Sequence, residues 1–440
     1  MTEVHFNTTA TFDREFFWEG GNSVRYLVAR LKADHAKEKN LAAPSPLNIA
    51  LVIDASGSMA GGKLEAAKEA AMGLAARLTE RDRLTVVSFA SDVQVHLDAV
   101  PVTPENAIQI RAEISRLETR GMTCLSGGWF AGVECAARIA ETDERMTPRV
   151  IILSDGHANE GITDPEELRE HAGELRMRGV LTSTLGIGDG YDEQLLRGIA
   201  ENGGGRLHDA ELTSEISSVL LGELDDIFDT LVEDARIALE MPAGVHVEVV
   251  GRGLAELHGG NLVVQMGPIQ NGIERVAVFK VTCPKARPGE ELEFHLKAEA
   301  RTVNNRSWIQ ANAKAAKLVA VLGSTNKAQR RDAQIAEIVA RTWSAHIVAT
   351  AAKMNRDSAY EEAGRYLEEE LRFFKPYVEG LAKAGDMIDE LEMLAQRVGQ
   401  RFSPRMHKEM VIQASLAMES RMDRRGLEKA AWSTRMRRGD

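Results

Sequence analysis

Asp54, Ser56 and Ser58 alternate at the end of the apolar run Leu47–Asp54, and a lysine follows at position 63. Two chemistries compete for this stretch, LNIALVIDASGSMAGGK. Read from Gly57, it is G-x-x-x-x-G-K, the spacing of a phosphate-cradling loop. Read from Asp54, it is D-x-S-x-S, one carboxylate and two hydroxyls, all hard oxygen donors of the kind Mg²⁺ prefers. The phosphate reading requires a Ser or Thr hydroxyl directly after the lysine, and that position is Leu64. The metal reading requires further oxygens from other loops. TRGMTCLSGG presents Thr123, and IILSDGHAN presents Asp155 at the end of a second apolar run. The metal reading therefore prevails.

Donors this far apart in sequence converge only if the chain returns repeatedly to one edge of a sheet. From Leu47 the pattern is suited to that. LNIALVID is a continuous apolar run, as a strand buried on both faces requires. GKLEAAKEAAMGLAARLTE has apolar residues at a helical period. DRLTVVSFA and RVIILSD read as strands, VQVHLDAV as an edge strand, and VLTSTLGIG and GRLHDA as the last two. Helices are expected at TPENAIQIRAEISRLE (Thr103 as N-cap, Pro104 at the first helical position), GGWFAGVECAARIAE, DPEELREHAGELRMRG and DEQLLRGIAENGG. Five or six such alternations predict a doubly wound, largely parallel sheet with ligands at the carboxyl ends of its strands, where Asp54 and Asp155 lie.

The flanking texture differs. SVRYLVARLKA (23–33) reads as a strand, and the charged, Pro-rich segment 34–48 as a linker. ARIALEMP, VHVEVV, NLVVQMG, IERVAVFKVTC and ELEFHLKAEA are short alternating strands. Residues 229–312 thus predict a β-sandwich, completed by strands from 1–45, with the α/β domain (46–228) inserted between them. Residues 313–440 read as helical, beginning with AKAAKLVAVLG, and Ser358 with Glu361 has capping-box spacing.

Asp54, Ser56, Ser58, Thr123 and Asp155, with the phrases LTVVSFASDV, GMTCLSGG and RVIILSDGHANEG, resemble the von Willebrand factor A (VWA) domain and its metal-ion-dependent adhesion site, bacterial branch. The layout around the domain is similar to VWA proteins of the inter-α-trypsin inhibitor heavy-chain type. The resemblance implies a Rossmann-like fold and a bound Mg²⁺, with Mn²⁺ or Ca²⁺ as alternatives. It also implies that some ligands act through water and that one coordination position is open to a partner protein's Asp or Glu. The rim contacting that partner is assigned to Met59, Met122, His157 and Asn159. On this reading the chain is a non-enzymatic interaction scaffold or adaptor, with a second partner on its C-terminal helices. The bacterial branch further suggests stress, defence, AAA+ or kinase–phosphatase systems. The alternative is a metal-dependent hydrolase using the same residues, with His157 or Glu160 as its base.

Bulk properties agree with an interaction protein. The net charge of −12 argues against general nucleic-acid affinity. Cys124, Cys135 and Cys283 form no C-x-x-C pair and no disulfide framework, which suggests a reducing compartment. With no apolar run of transmembrane length and no signal-like start, a cytoplasmic location and no membrane partner are expected. His171 and His208 read as structural, GIGDG (186–190) as a turn, and the terminal Arg-Gly-Asp as coincidence. The last forty residues, with ten Lys/Arg against five Asp/Glu, read as a solvated helix face.

Overall fold

The computed structural model describes residues 4–35, 45–143, 146–251, 255–418 and 432–438. The expected linker falls largely on 36–44, outside the described residues, as do Gly439, Asp440 and much of the basic C-terminal stretch. The chain divides into two compact units. The first is built mainly from Lys37–Leu231, and the second from Glu3–Ala36, Val232–Arg301 and Ser307–Asp440.

In chain order the second unit supplies β1 (Val4–Phe12), β2 (Phe16–Trp18) and β3 (Ser23–His35). The α/β unit follows: β4 (Leu47–Asp54), α1 (Lys63–Ala75), β5 (Arg83–Phe89), β6 (Val93–Pro101), α2 (Ala107–Ser115) and α3 (Leu125–Thr142). It continues with β7 (Thr147–Ser154), α4 (Pro165–Met177), β8 (Leu181–Ile187), α5 (Glu193–Asn202), β9 (Gly204–Ala210) and α6 (Ile216–Phe228). Its six strands lie in the order β6-β5-β4-β7-β8-β9. All neighbours are parallel except β6, which is antiparallel to β5 at the edge.

Strand periodicity explains the three layers. Successive side chains of β4 point to opposite faces, and every residue of β4 is buried. Ile49, Leu51 and Ile53 pack with Leu64 and Leu74 of α1, Ile110 of α2 and Leu220 of α6. Ala50 and Val52 pack with Trp129 of α3, Leu168 of α4 and Leu196 of α5. Helix α3 approaches the sheet closely because Gly128 and Gly132 face it. A Cβ on Gly132 would stand 2.4 Å from Val52 Cγ2, and one on Gly128 would stand 2.5 Å from Phe89 Cβ. That close packing positions the first residues of α3, and Thr123 with them.

Helix α2 begins later than its sequence suggests. Thr103 Oγ1 accepts from the Asn106 N–H at 3.4 Å, closing a turn, and the helix starts at Ala107.

The second unit resumes with β10 (Thr230–Glu240), β11 (His246–Val250), β12 (Ala255–His258), β13 (Asn261–Gln270), β14 (Glu274–Cys283) and β15 (Glu291–Thr302). Strands β16 (Trp308–Asn312) and β17 (Ala316–Val321) come next. Helices α7 (Gly323–Ala328), α8 (Ala333–Arg356), α9 (Tyr360–Val378), α10 (Ala384–Arg397), α11 (Pro404–Met418) and α12 (Trp432–Arg438) complete it. One sheet has the order β1-β3-β14-β11. Strands from before and after the α/β segment thus pair directly, from Ser23 opposite Cys283 to Lys32 opposite Glu274. A second sheet has the order β12-β13-β10-β15-β17-β2, with β16 on β15.

Two expectations fail here. The segment read as a first C-terminal helix forms β17, antiparallel to β15 and parallel to β2. Its buried residues are Ala316, Leu318 and Ala320, a period of two that a run rich in Ala and Lys conceals. Ser358 builds no capping box either; it has φ +62°, and α9 starts without a side-chain cap. The later helices do appear as helices, and α8 and α9 share a core through Val339, Trp343, Ile347, Leu367 and Phe374.

Candidate metal centre

The neighbours of β4 are β5 on one side and β7 on the other, so the chain winds away from β4 in opposite directions. At such a reversal the loops after the strands diverge and leave a crevice. Three loops meet there. The first, after β4, turns through Gly57–Met59 and enters α1 through Gly61 and Gly62, whose φ values of +78° and +101° disfavour any residue with a Cβ. The second carries Thr123 into α3, and the third follows β7 with Asp155.

Backbone hydrogen bonds lace the loops together. Gly57 N–H donates to Gly121 O (3.2 Å) and Arg120 N–H to Ala55 O (2.6 Å). Thr123 O accepts from the Asn159 and Glu160 N–H groups at 3.1 and 3.2 Å. Thr123 N–H donates to Asn159 Oδ1 at 2.8 Å, and Ile162 N–H to Ser126 Oγ at 2.9 Å.

Four of the five donor residues, Asp54, Ser56, Ser58 and Asp155, form one connected network. Asp54 is fully buried; its Oδ1 accepts from Ser56 N–H (2.8 Å) and its Oδ2 from the Ser154 hydroxyl (2.7 Å). Ser56 Oγ and Ser58 Oγ are 2.9 Å apart, and the Ser58 hydroxyl donates to Asp155 Oδ1 at 2.7 Å. Lys63 Nζ makes an ion pair with Asp155 Oδ2. Gly156 marks the focus. A Cβ built on it would meet Ser58 Oγ at 3.5 Å, Thr123 Oγ1 at 3.7 Å and Asp54 Oδ2 at 3.9 Å. Oxygens from all three loops therefore face one small cradle. Burial raises the pKa of Asp54 above the ordinary carboxylate range, and the negative Asp155 adds to this against the hydrogen bonds from Ser154 and Ser56. A buried carboxylate whose charge is penalised in this way gains from a cation placed beside it.

This donor set, two carboxylates and three hydroxyls, fits a hard divalent cation. Among the described residues no cluster of three or more His, Cys, Asp or Glu side chains is placed to hold a metal, so a thiolate- or imidazole-rich site is not found there. Gly156→Ala puts a methyl group into the cradle without backbone strain. It is expected to weaken Mg²⁺ binding in calorimetry by at least about tenfold while leaving the melting temperature in EDTA nearly unchanged.

The rim residues fare differently from their expected roles. Met122 is 49% exposed, and His157 is exposed with Nδ1 3.7 Å from Asp192 Oδ2. Met59 is not at the rim: its side chain is fully buried in the core shared with Leu64 and Ile53. Asn159 is exposed, yet its amide oxygen is committed to Thr123, making it a strap between two loops. Sequence reasoning missed Ser154, the second partner of Asp54, although it directly precedes Asp155. It also gave Lys63 no role beyond the lysine of the rejected phosphate-loop spacing. The signal for Lys63 was its position closing a glycine-rich turn, where a long side chain can fold back over the loop.

His208, read as structural, is tied into a cluster around the buried Glu223. Its Nε2 is 2.6 Å from Glu223 Oε2, while the Ser183 hydroxyl donates to Oε1 at 2.7 Å. All three cysteines are free, and burial pushes the Cys135 and Cys283 thiols up to about 11.

A doubly wound α/β unit with an oxygen-lined cradle at its topological reversal is the arrangement the resemblance to VWA domains implies. Residues 48–220 match the family described as von Willebrand factor type A domain, and the chain carries a VWA domain over that span. Human inter-alpha-trypsin inhibitor heavy chain H3 is 30% identical over 277 residues, covering 61% of this chain and 30% of that protein. An uncharacterized protein of Synechocystis sp. is 28% identical over 281 residues, covering 61% of this chain and 63% of its own length. The chain thus spans less than two thirds of either relative. The solved von Willebrand factor type A structure from Catenulispora acidiphila shares the fold over 95% of this chain and 97% of its own, with TM-score 0.68 and 17% identity. VWA domains typically bind a divalent metal and mediate metal-dependent protein–protein contacts, and they are generally not enzymes.

Proposed function

We propose that the chain is a non-enzymatic scaffold whose VWA domain captures an Asp or Glu side chain of a partner protein through a divalent cation, Mg²⁺ in the cell. The observation that carries this reading is the cradle at Gly156, where Ser58, Thr123 and Asp54 present oxygens to one point. A dication bound there supplies an electrophilic centre that a partner carboxylate can join. Asp54 and Asp155 offset its charge, Ser56, Ser58 and Thr123 contribute neutral oxygens, and the laced loops hold these groups in place before any partner arrives. Preorganisation of this kind lowers the cost of binding. Met122 and His157, both exposed beside the cradle, are the rim positions available to the partner.

The rest of the scheme belongs to the same proposal. The two sheets of the second unit form the interrupted β-sandwich, and the C-terminal helices dock a second protein. The setting is a cytoplasmic stress, defence, AAA+ or kinase–phosphatase system. Among the described residues no helix is long and apolar enough to cross a membrane. The test is an affinity pull-down with wild type and Asp54→Ala, each in Mg²⁺ and in EDTA. Partners lost in both the variant and the chelated sample depend on the site; capture unchanged by EDTA defeats the reading.

A further inference from the structure

We propose that Lys63 is a tethered competitor of the divalent cation: its ammonium group occupies Asp155 and holds the metal affinity of the site down. The inference rests on the metal-site reading above and adds a residue outside the five donors. Lys63 is the first residue of α1, delivered there by the left-handed Gly61 and Gly62. Its Nζ pairs with Asp155 Oδ2 and lies 3.3 Å from the Ser58 carbonyl oxygen. The Asp155 side chain is 0% exposed and that of Lys63 30%, so the pair lies at the margin of solvent. Both Asp155 oxygens are therefore engaged, Oδ1 by the Ser58 hydroxyl and Oδ2 by the ammonium. The nearby Arg120 is committed elsewhere, to Asp92 Oδ1 at 2.8 Å and Ser88 Oγ at 3.1 Å.

A dication drawing on Asp155 meets this ammonium in two ways. The charge-assisted hydrogen bond to Asp155 must be loosened, and two positive centres a few ångströms apart repel strongly where water is scarce. Both effects weaken metal binding. A purely structural strap predicts the opposite sign: if Lys63 merely held Asp155 in position, its removal would leave affinity equal or lower.

The experiment compares the full chain as wild type, Lys63→Met and Lys63→Arg, by Mg²⁺ and Mn²⁺ calorimetry and by thermal melts in EDTA and in Mg²⁺. Methionine keeps an unbranched stem and removes the charge; arginine keeps the charge. Lys63→Met is expected to bind Mg²⁺ about tenfold more tightly, the scale of one charged hydrogen bond, with Lys63→Arg near wild type. In EDTA its melting temperature falls, because the buried Asp155 loses its cation, and its rise on adding Mg²⁺ exceeds that of wild type. Binding by Lys63→Met alone, with none by wild type, is the strongest support. Equal or weaker binding by Lys63→Met beside a wild type that binds overturns the competitor role alone. No binding by any of the three overturns the metal reading and this inference together.

Discussion

Asp54→Asn is expected to abolish divalent-metal binding, lowering Mg²⁺ affinity more than about 100-fold, beyond the loss that removal of a merely supporting group causes. The substitution is nearly isosteric. Its amide oxygen can still accept from Ser56 N–H, and its NH₂ can donate to Ser154 Oγ, so the loop retains the bonds that Asp54 makes now. The stability consequence has a definite sign. Burial, with Asp155 adding to it, raises the folded-state pKa of Asp54, so the ionised side chain costs stability at neutral pH. An uncharged asparagine removes that cost. The melting temperature in EDTA should stay level or rise, while the increase that Mg²⁺ confers on wild type disappears. Calorimetry and melts on one preparation separate this outcome from misfolding, which would lower both.

The largest stability effect is expected away from the cradle, where Glu223 of α6 is buried beside the edge strand β9. Arg206 Nη2 lies 3.3 Å from its Oε2 and His208 Nε2 lies 2.6 Å from the same oxygen, with the Ser183 hydroxyl on Oε1. Burial alone would raise this carboxyl's pKa, but Arg206, His208 and the hydrogen bonds outweigh it and hold the group at about 2, below its ordinary 4.5. Glu223→Ala removes the counter-charge shared by Arg206 and His208, while Asp226 stays 2.9 Å from Arg206, and should cost about 3 kcal/mol in urea unfolding. A depressed folded-state pKa stabilises above the unfolded value and ceases to do so as pH falls through the folded one. The gap between wild type and Glu223→Ala should therefore be full at neutral pH and shrink from about pH 5 to about pH 3. A gap independent of pH over that range would show that packing, not charge, dominates.

The α/β order was legible because each parallel strand is buried on both faces and reads as an unbroken apolar run, as LNIALVID and RVIILSD do. The convergence of Asp54, Ser56, Ser58, Thr123 and Asp155 was legible for a related reason. Each lies within a few residues of a strand or helix end, and one winding rule brings those ends together. What could not be read depended on contacts without a local signature. Ala316–Val321 carries residues compatible with either helix or strand, and its pairing with β15 and β2 chooses the strand. Met59 is buried because the turn at Gly57–Met59 directs it under the sheet edge, a matter of backbone geometry rather than residue type. Asn159 and Lys63 carry the same polar signature whether they face solvent, a partner or their own chain. Their commitments to Thr123 and Asp155 depend on how three loops approach one another, and that approach is set by strand order and by the glycines that let α3 lie close to the sheet.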